Sequence, residues 1–125
     1  MNFDNEAEEM FYDFLNDYEL TSMIKKIDSQ VWIDTFTKRR RIDFILTLTN
    51  GRCLLVETDG KMHNQPKVMI EDWHKEYSLR RMGLDMLRIK FVEFFNDPTA
   101  VANKIEGMID LMGSETNEYL ASLED

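Results

Sequence analysis

Apolar residues recur at spacings of three and four in three parts of the chain, the pattern of a helix with one buried face. These parts are residues 5–18, 66–82 and 98–111. Asp4 or Asn5 is expected to cap the first helix, and Pro66 and Pro98 stand at the starts of the other two. Gly83 is expected to end the second helix as its C′ residue. The pattern therefore predicts three helices, well separated along the chain.

Runs of apolar and β-branched residues predict strands in the segments between these helices. The strands span residues 31–37, 42–49, 52–56 and 84–92. Asn50-Gly51 supplies the two positive-φ residues of a type I′ turn between the second and third strands. Folding about that turn pairs Thr49 with Arg52 and brings Asp43 near residue 58, and therefore beside both Glu57 and Asp59. The predicted order of elements is α-β-β-β-α-β-α, with the first three strands forming a meander.

Three acidic residues stand where these strands are interrupted or end. Asp43 lies within the second strand, and Glu57 and Asp59 close the third, two residues apart and therefore on one side of it. Converging carboxylates repel one another unless a cation or solvent relieves them. Because oxygen ligands favour hard cations, the pattern predicts a site for Mg²⁺, Mn²⁺ or Ca²⁺ rather than for zinc.

The size of the chain fits one domain. With 125 residues in all, we predict a single domain over residues 1–112, followed by an acidic C-terminal tail, 113–125, that is expected to fray. No apolar run approaches the roughly 20 residues of a membrane span, and acidic residues crowd the N-terminus, where a signal peptide carries basic ones. We therefore expect a cytoplasmic protein with no membrane partner.

The net charge of −9 is distributed unevenly, at −7 over residues 1–37, +5 over residues 38–90 and −7 over residues 91–125. A run of four basic residues leads directly into the strand that carries Asp43. The run is Lys38, Arg39, Arg40 and Arg41. We predict that it contacts DNA phosphates beside the carboxylates. The alternative is a solvated turn, and the acidic flanks would equally serve a protein partner or repel nonspecific DNA.

These elements form an ordered series: a strand Asp, a turn, a strand ending in Glu-x-Asp-Gly, a His, then Asp-x-x-(Arg/Lys)-x-x-x-Leu, a Gly and a strand with Arg. The positions that match are Asp43, Glu57, Asp59, Gly60, His63, Asp72, Lys75, Leu79, Gly83 and Arg88. In this order they resemble the PD-(D/E)XK nuclease superfamily, in particular its small proteins related to very-short-patch-repair endonucleases. The resemblance covers about residues 5–105 and rests on the series, since no single element is specific.

The resemblance implies a restriction-endonuclease-like α/β fold, in which a central mixed four-stranded sheet is flanked by helices. It also implies Mg²⁺-dependent hydrolysis of DNA, with Mn²⁺ as a possible substitute. Asp43 and Glu57 would be the first metal ligands, and Asp59 a third ligand or the group that orients the attacking water. Glu8 would join them from the first helix, as a helix-borne Glu does in several of these nucleases.

One position departs from the superfamily pattern. Asp59 stands where the motif usually has its catalytic lysine, as in much of this subgroup, so that lysine is absent or is supplied by Lys61 or Lys75. His63 would be a general base or donate to the scissile phosphate, and its alternative role is a hydrogen-bonding loop residue. Lys61 would stabilise the negative charge that develops during hydrolysis, and its alternative is a solvated lysine without a role in the site.

The second helix carries further candidates. Lys75 is predicted to contact a phosphate or the site, and the alternative is a local pair with Asp72 one turn away. Trp73 is expected in the core beside Ile70 and Tyr77 rather than stacked on a base. Arg88, inside an apolar strand, requires a buried acid or a phosphate.

Two functions follow from these patterns. The first is a Mg²⁺-dependent DNA endonuclease in repair, phage or defence, nicking or directed by DNA structure. The alternative is a catalytically silent module that keeps the fold to bind DNA or a protein partner. Either would act as a monomer or a homodimer, and a monomer would most simply nick, since a double-strand break needs two sites.

Overall fold

The computed structural model describes four stretches of the chain and the elements they form. These are residues 5–17, 22–35, 38–59 and 66–123, apart from the side chains of Asp59, Val68 and residues 114–122. The elements are α1 (Glu6–Asp17), β1 (Ile24–Asp34), β2 (Arg39–Leu48), β3 (Cys53–Asp59), α2 (Pro66–Arg81), β4 (Asp85–Lys90), α3 (Phe91–Asn96) and α4 (Pro98–Leu123).

Within these stretches the strands form one mixed sheet in the order β1-β2-β3-β4. β1 pairs antiparallel with β2, β2 antiparallel with β3, and β3 parallel with β4. The parallel pair requires a crossover, and α2 provides it. The predicted α/β class, with a mixed four-stranded sheet flanked by helices, is therefore confirmed.

Several local predictions hold. The side chain of Asn5 caps α1, accepting a hydrogen bond from the backbone N–H of Glu8 at 2.9 Å. α2 begins at Pro66 and ends at Arg81, followed by Gly83 in the left-handed region with φ of 78°. Each of these signals is local, since a cap or a turn residue acts on backbone groups only a few positions away.

The turn between β2 and β3 differs from the predicted two-residue type I′ turn. It contains three residues, because Leu48 N–H donates to the Arg52 carbonyl at 2.8 Å and Gly51 N–H donates to the Leu48 carbonyl at 2.9 Å. Gly51 has a positive φ of 86°, the conformation of the glycine that closes a three-residue hairpin loop. The pairing of Thr49 with Arg52 was therefore wrong by one residue.

The new register moves the carboxylates. Phe44 pairs with Val56 in the observed ladder, so that Asp43, the next residue outward, lies opposite Glu57 rather than residue 58. In an antiparallel pair, residues that face each other directly have side chains on the same side of the sheet. The one-residue shift thus brings Asp43 and Glu57 face to face.

Several predicted boundaries were wrong, among them those of β1, β4 and α4. β1 runs over Ile24–Asp34 instead of 31–37, because pairing with β2 extends along a segment whose exposed polar residues mask the strand pattern. β4 ends at Lys90, where the Glu93 carboxylate accepts the Lys90 N–H at 2.9 Å and starts α3. α4 does not end near Leu111; it continues to Leu123, since each of its two interior glycines, Gly107 and Gly113, costs a helix only about 1 kcal/mol.

The two faces of the sheet are covered unequally. The larger core packs one face against α1, α3 and α4, with the rings of Phe11, Phe44 and Phe94 in contact. The smaller core lies under α2 and consists of Ile42, Leu55, Leu79 and Met86. No helix of the described residues is long and apolar enough to cross a membrane.

The expectation that Trp73 is a core residue was wrong. Trp73 is 58% exposed, and Ile70 and Tyr77 are 57% and 47% exposed along the same side of α2. Trp73 stacks on Tyr77 with 5.1 Å between ring centroids. The inward side of α2 instead buries Ser78 and Leu79, so this helix turns its apolar stripe to solvent.

Candidate active site

The centre of the site is a pair of buried carboxyl groups on neighbouring strands. Asp43 of β2 is 9% exposed and Glu57 of β3 is 8% exposed. Their side chains are hydrogen-bonded to one another. Asp43 Oδ2 also accepts the backbone N–H of Thr58 at 2.8 Å and the Thr58 hydroxyl at 3.2 Å. Asp43 is therefore held in one orientation against Glu57.

The side chains of β2 change faces of the sheet at this point. Side chains alternate along a strand, so Ile42 and Phe44 would share a face, yet Ile42 belongs to the smaller core and Phe44 to the larger. β1 shows the same change, since Ile27 packs on the larger core and Ile33 on the smaller. Asp43 lies where the alternation breaks, between the two cores.

Lys75 brings a positive charge to the carboxyl pair from α2. Its Nζ contacts Glu57 Oε1 and donates to the Arg41 carbonyl at 2.7 Å. The alternative expectation was a local pair between Lys75 and Asp72. Lys75 contacts Glu57 instead, and Asp72 Oδ2 lies 3.1 Å from Arg88 Nη1. Arg88 thus has the acidic partner that its place in an apolar strand required, and this pair ties α2 to β4.

Burial changes the protonation of Glu57. Loss of solvent, followed by the charge of Asp43, raises the pKa of Glu57 from its ordinary value of 4.5 to about 8, against the opposing charge of Lys75. In the metal-free protein the Glu57 carboxyl therefore keeps its proton near neutral pH and is hydrogen-bonded to Asp43. Two buried carboxyl oxygens that hold a proton in this way suit a divalent cation, which would replace that proton.

Without metal, we expect the Glu57→Gln variant to be more stable than the unmutated protein, by a margin that grows as the pH rises. The folded pKa lies above the unfolded one, so the folded state binds more protons, and the free energy of unfolding falls between about pH 4.5 and pH 8. The glutamine amide donates to Asp43 without ionising. Denaturant unfolding in EDTA should show no gain for the variant near pH 4 and a gain of about 2–3 kcal/mol near pH 7. Equal stability of both proteins at every pH would contradict the assignment.

Glu8 reaches the sheet from α1. It is 4% exposed, and its Oε1 accepts a hydrogen bond from the side-chain amide of Gln30 on β1. Ser29 pairs with Phe44 and Val31 with Ile42, so Gln30 lies opposite Asp43 in the register. The predicted helix-borne Glu is thus joined through Gln30 to the strand position beside the carboxyl pair.

The basic run is divided between two environments. Lys38 and Arg40 approach Glu71 Oε2 of α2 at 3.3 Å and 3.7 Å, and the hydrogen bond from Lys38 lowers the pKa of Glu71. Arg39 lies 5.1 Å above the Trp32 ring, and Arg41 is exposed. Lys38 and Arg40 therefore hold β2 against α2, while Arg39 and Arg41 lie on the opposite face of the hairpin.

Other predicted site residues have no described side chain. Lys61 and His63 lie outside the described residues, and only the backbone of Asp59 is described, pairing with Lys90 at the end of β3. Among the described residues, no group of three or more His, Cys, Asp or Glu side chains is placed to hold a metal. Asp43 and Glu57 alone fit Mg²⁺, which is commonly bound through one or two carboxylates, with waters and substrate phosphates completing its shell.

Sequence reasoning missed Gln30 and Thr58. Thr58 was a strand residue between two acids, and only the register reveals that it donates to Asp43. Gln30 preceded the predicted first strand, and no local signal marks its positive φ of 51°. Lys75 was proposed from the motif spacing, but its contact with Glu57 depends on how α2 crosses the sheet.

No family model matches the chain, and neither does a curated protein or a solved structure. The class of protein that the fold defines is an α/β domain with a mixed four-stranded sheet flanked by helices.

Proposed function

We propose that this protein is a Mg²⁺-dependent DNA endonuclease with a restriction-endonuclease-like core. The observation that carries the proposal is the convergence of Asp43, Glu57 and Lys75 from three separate elements, two strands and a helix. Two carboxyl groups and an ammonium group form the ligand and charge-stabilising set that phosphodiester hydrolysis requires.

The arrangement of the sheet supports the proposal. The resemblance implies a meander of three strands, a crossover helix and a fourth strand, and β1, β2, β3, α2 and β4 follow that order with β4 parallel to β3. The resemblance also leaves the lysine to Lys61 or Lys75, and Lys75 contacts Glu57. We therefore assign the role of the motif lysine to Lys75.

Each residue has a task in the proposed reaction. When bound, Mg²⁺ would polarise a phosphoryl oxygen and lower the pKa of a water that attacks the phosphorus. Asp43 and Glu57 would hold the ion, with Thr58 fixing the orientation of Asp43. Lys75 would stabilise the negative charge that develops on the phosphate. Asp59 and His63 remain candidates for orienting the water and for donating a proton, and Lys61 for further charge.

DNA would be held by electrostatic attraction to the basic middle of the chain. Arg39 and Arg41 are exposed, and both lie on β2 within a few residues of Asp43. Contacts to phosphates position DNA without reading its sequence, so this surface predicts affinity rather than sequence specificity. Lys38 and Arg40 would first have to leave Glu71 in order to contact a phosphate.

A catalytically silent module that binds a protein partner is the second candidate. The exposed stripe of Ile70, Trp73 and Tyr77 on α2 favours it, because large exposed apolar side chains in a row often mark an interface. That function needs neither a metal nor Lys75. A metal requirement for activity therefore separates the two candidates.

The test is supercoiled plasmid incubated with the purified protein and Mg²⁺ or Mn²⁺, beside the same reaction in EDTA. We expect nicked product with either metal and none in EDTA, since a monomer carries one site. Linear product at early times would instead indicate paired sites in a homodimer. If neither metal supports cleavage and calorimetry detects no Mn²⁺ binding, the endonuclease proposal falls and the binding module stands.

A further inference from the structure

Gln30 has an unusual backbone conformation in the middle of a strand. Its φ is 51°, and among the described residues it is the one non-glycine residue with a positive φ. Side chains other than glycine, asparagine and aspartate rarely adopt this conformation, because the Cβ atom crowds the backbone. β1 thus holds a locally unfavourable conformation at the position opposite Asp43.

The side chain of Gln30 is only half satisfied. Its Nε2 donates to Glu8 Oε1, whereas its Oε1 is buried and has no hydrogen-bond partner. Buried polar atoms in proteins are nearly always hydrogen-bonded, and each exception requires an explanation. A carbonyl oxygen is an acceptor, so the group that would satisfy it must be a hydrogen-bond donor.

We propose that Gln30 is a positioning residue of the active site, whose amide nitrogen orients Glu8 and whose Oε1 accepts a hydrogen bond from a water bound to the catalytic cation. This inference rests on the proposed function. Water bound to a divalent cation is a strong donor, and the register places Gln30 beside Asp43, one of the ligands of that cation. Gln30 would thereby connect α1 to the metal site.

A purely structural role accounts poorly for these two features. Glycine adopts a φ of 51° without strain and has no side-chain carbonyl oxygen to leave unpaired, so for the fold alone the strain and the unpaired oxygen of glutamine are offset only by the hydrogen bond to Glu8. Strained residues of this kind are held where the surrounding structure serves a site. The strain and the unpaired oxygen occur in the same residue, and that residue contacts Glu8.

Gln30→Gly tests the inference, because it removes the amide while relaxing the backbone. We expect its Mn²⁺ affinity, measured by calorimetry, to fall about 10- to 100-fold, the range for lost groups that orient metal ligands. Its Tm in EDTA should stay close to that of the unmutated protein, because the relaxed backbone offsets the lost hydrogen bond to Glu8. Lys25→Ala, at an exposed position of the same strand, is the matched control and should change neither quantity.

A second variant covers the case in which glycine loosens the edge strand. Gln30→Asn keeps an amide in a residue that tolerates positive φ, but the side chain is one methylene shorter. We expect it to fold normally and to bind Mn²⁺ more weakly than the unmutated protein. Unchanged Mn²⁺ affinity in folded Gln30→Gly and Gln30→Asn would overturn the inference and leave the endonuclease proposal standing. Absence of Mn²⁺ binding to the unmutated protein would overturn both.

Discussion

Asp43→Asn is expected to slow plasmid nicking about a thousand-fold and to weaken Mn²⁺ binding, because losing a ligand removes several kcal/mol of charge stabilisation. Asparagine keeps an oxygen that accepts the Thr58 N–H, so the local hydrogen bond is preserved. The charge of Asp43 also raises the pKa of Glu57, and its removal relieves that repulsion. The metal-free variant should therefore unfold at the same temperature as the unmutated protein, or higher.

A strand aspartate outside the site provides the control for this variant. Asp28 on β1 pairs with Lys26 at 3.5 Å, and its side chain is 40% exposed. Asp28→Asn makes the same chemical change and should leave nicking and Mn²⁺ affinity unaltered. If Asp43→Asn, folded and with unchanged Tm, nicks plasmid as fast as the unmutated protein, Asp43 is not a ligand of the catalytic cation.

Lys75→Met is expected to reduce nicking about a hundred-fold, the range for removing one group that stabilises charge in the transition state. Methionine retains much of the volume of the lysine stem but lacks its ammonium group. Lys75 opposes the rise in the pKa of Glu57, so the variant should hold the Glu57 proton to a still higher pH. Mn²⁺ binding would then require a higher pH than in the unmutated protein.

Lys67→Met on the same helix is the matched control, since Lys67 is exposed and lies near the start of α2. It should cleave DNA at nearly the unmutated rate, apart from a small loss from general electrostatics. The comparison is made as single-turnover rates at saturating Mn²⁺, so that weaker metal binding does not imitate a chemical defect. Equal rates for Lys75→Met and Lys67→Met would show that Lys75 does not take part in the reaction and only balances the charge of the carboxyl pair.

The stability of the fold and the requirements of the proposed reaction are opposed at the carboxyl pair. Burying Glu57 beside Asp43 destabilises the metal-free protein above the ordinary pKa of a carboxyl group. A conservative amide at either position removes this cost together with the capacity to bind a cation. Variants that gain stability while losing activity are the expected sign of a functional site.

α2 is organised differently from an ordinary surface helix. Its inward side carries Lys75 against Glu57 and Asp72 against Arg88, while Ile70, Trp73 and Tyr77 face solvent. In an ordinary amphipathic helix the apolar side faces the core and the charged side faces solvent, and in α2 this arrangement is largely reversed. Charge contacts with the sheet decide the orientation of α2, and the exposed Trp73 is available to a partner of either proposed function.

Local signals in the chain were sufficient for much of the fold. The alternation of strands and helices, the cap at Asn5, the glycine stop after α2 and the hairpin around Gly51 all depend on neighbouring residues. They also placed Asp43 and Glu57 on paired strands, because a short turn leaves few possible registers. What they did not predict was the turn length, and a shift of one residue changes which side chain Asp43 faces.

The chain by itself determined the order of the elements, apart from the short helix α3, and the presence of carboxylates on two adjacent strands, because periodicity and turn chemistry act over a few residues. Only the tertiary structure decided that Asp43 faces Glu57, that Lys75 reaches them from α2, and that Gln30 adopts a positive φ beside Glu8. These contacts join residues far apart in the chain, and they depend on how whole elements pair and cross. Contacts between residues distant in the chain leave no periodic pattern in the sequence, so the contacts within the candidate site became visible only in the folded structure.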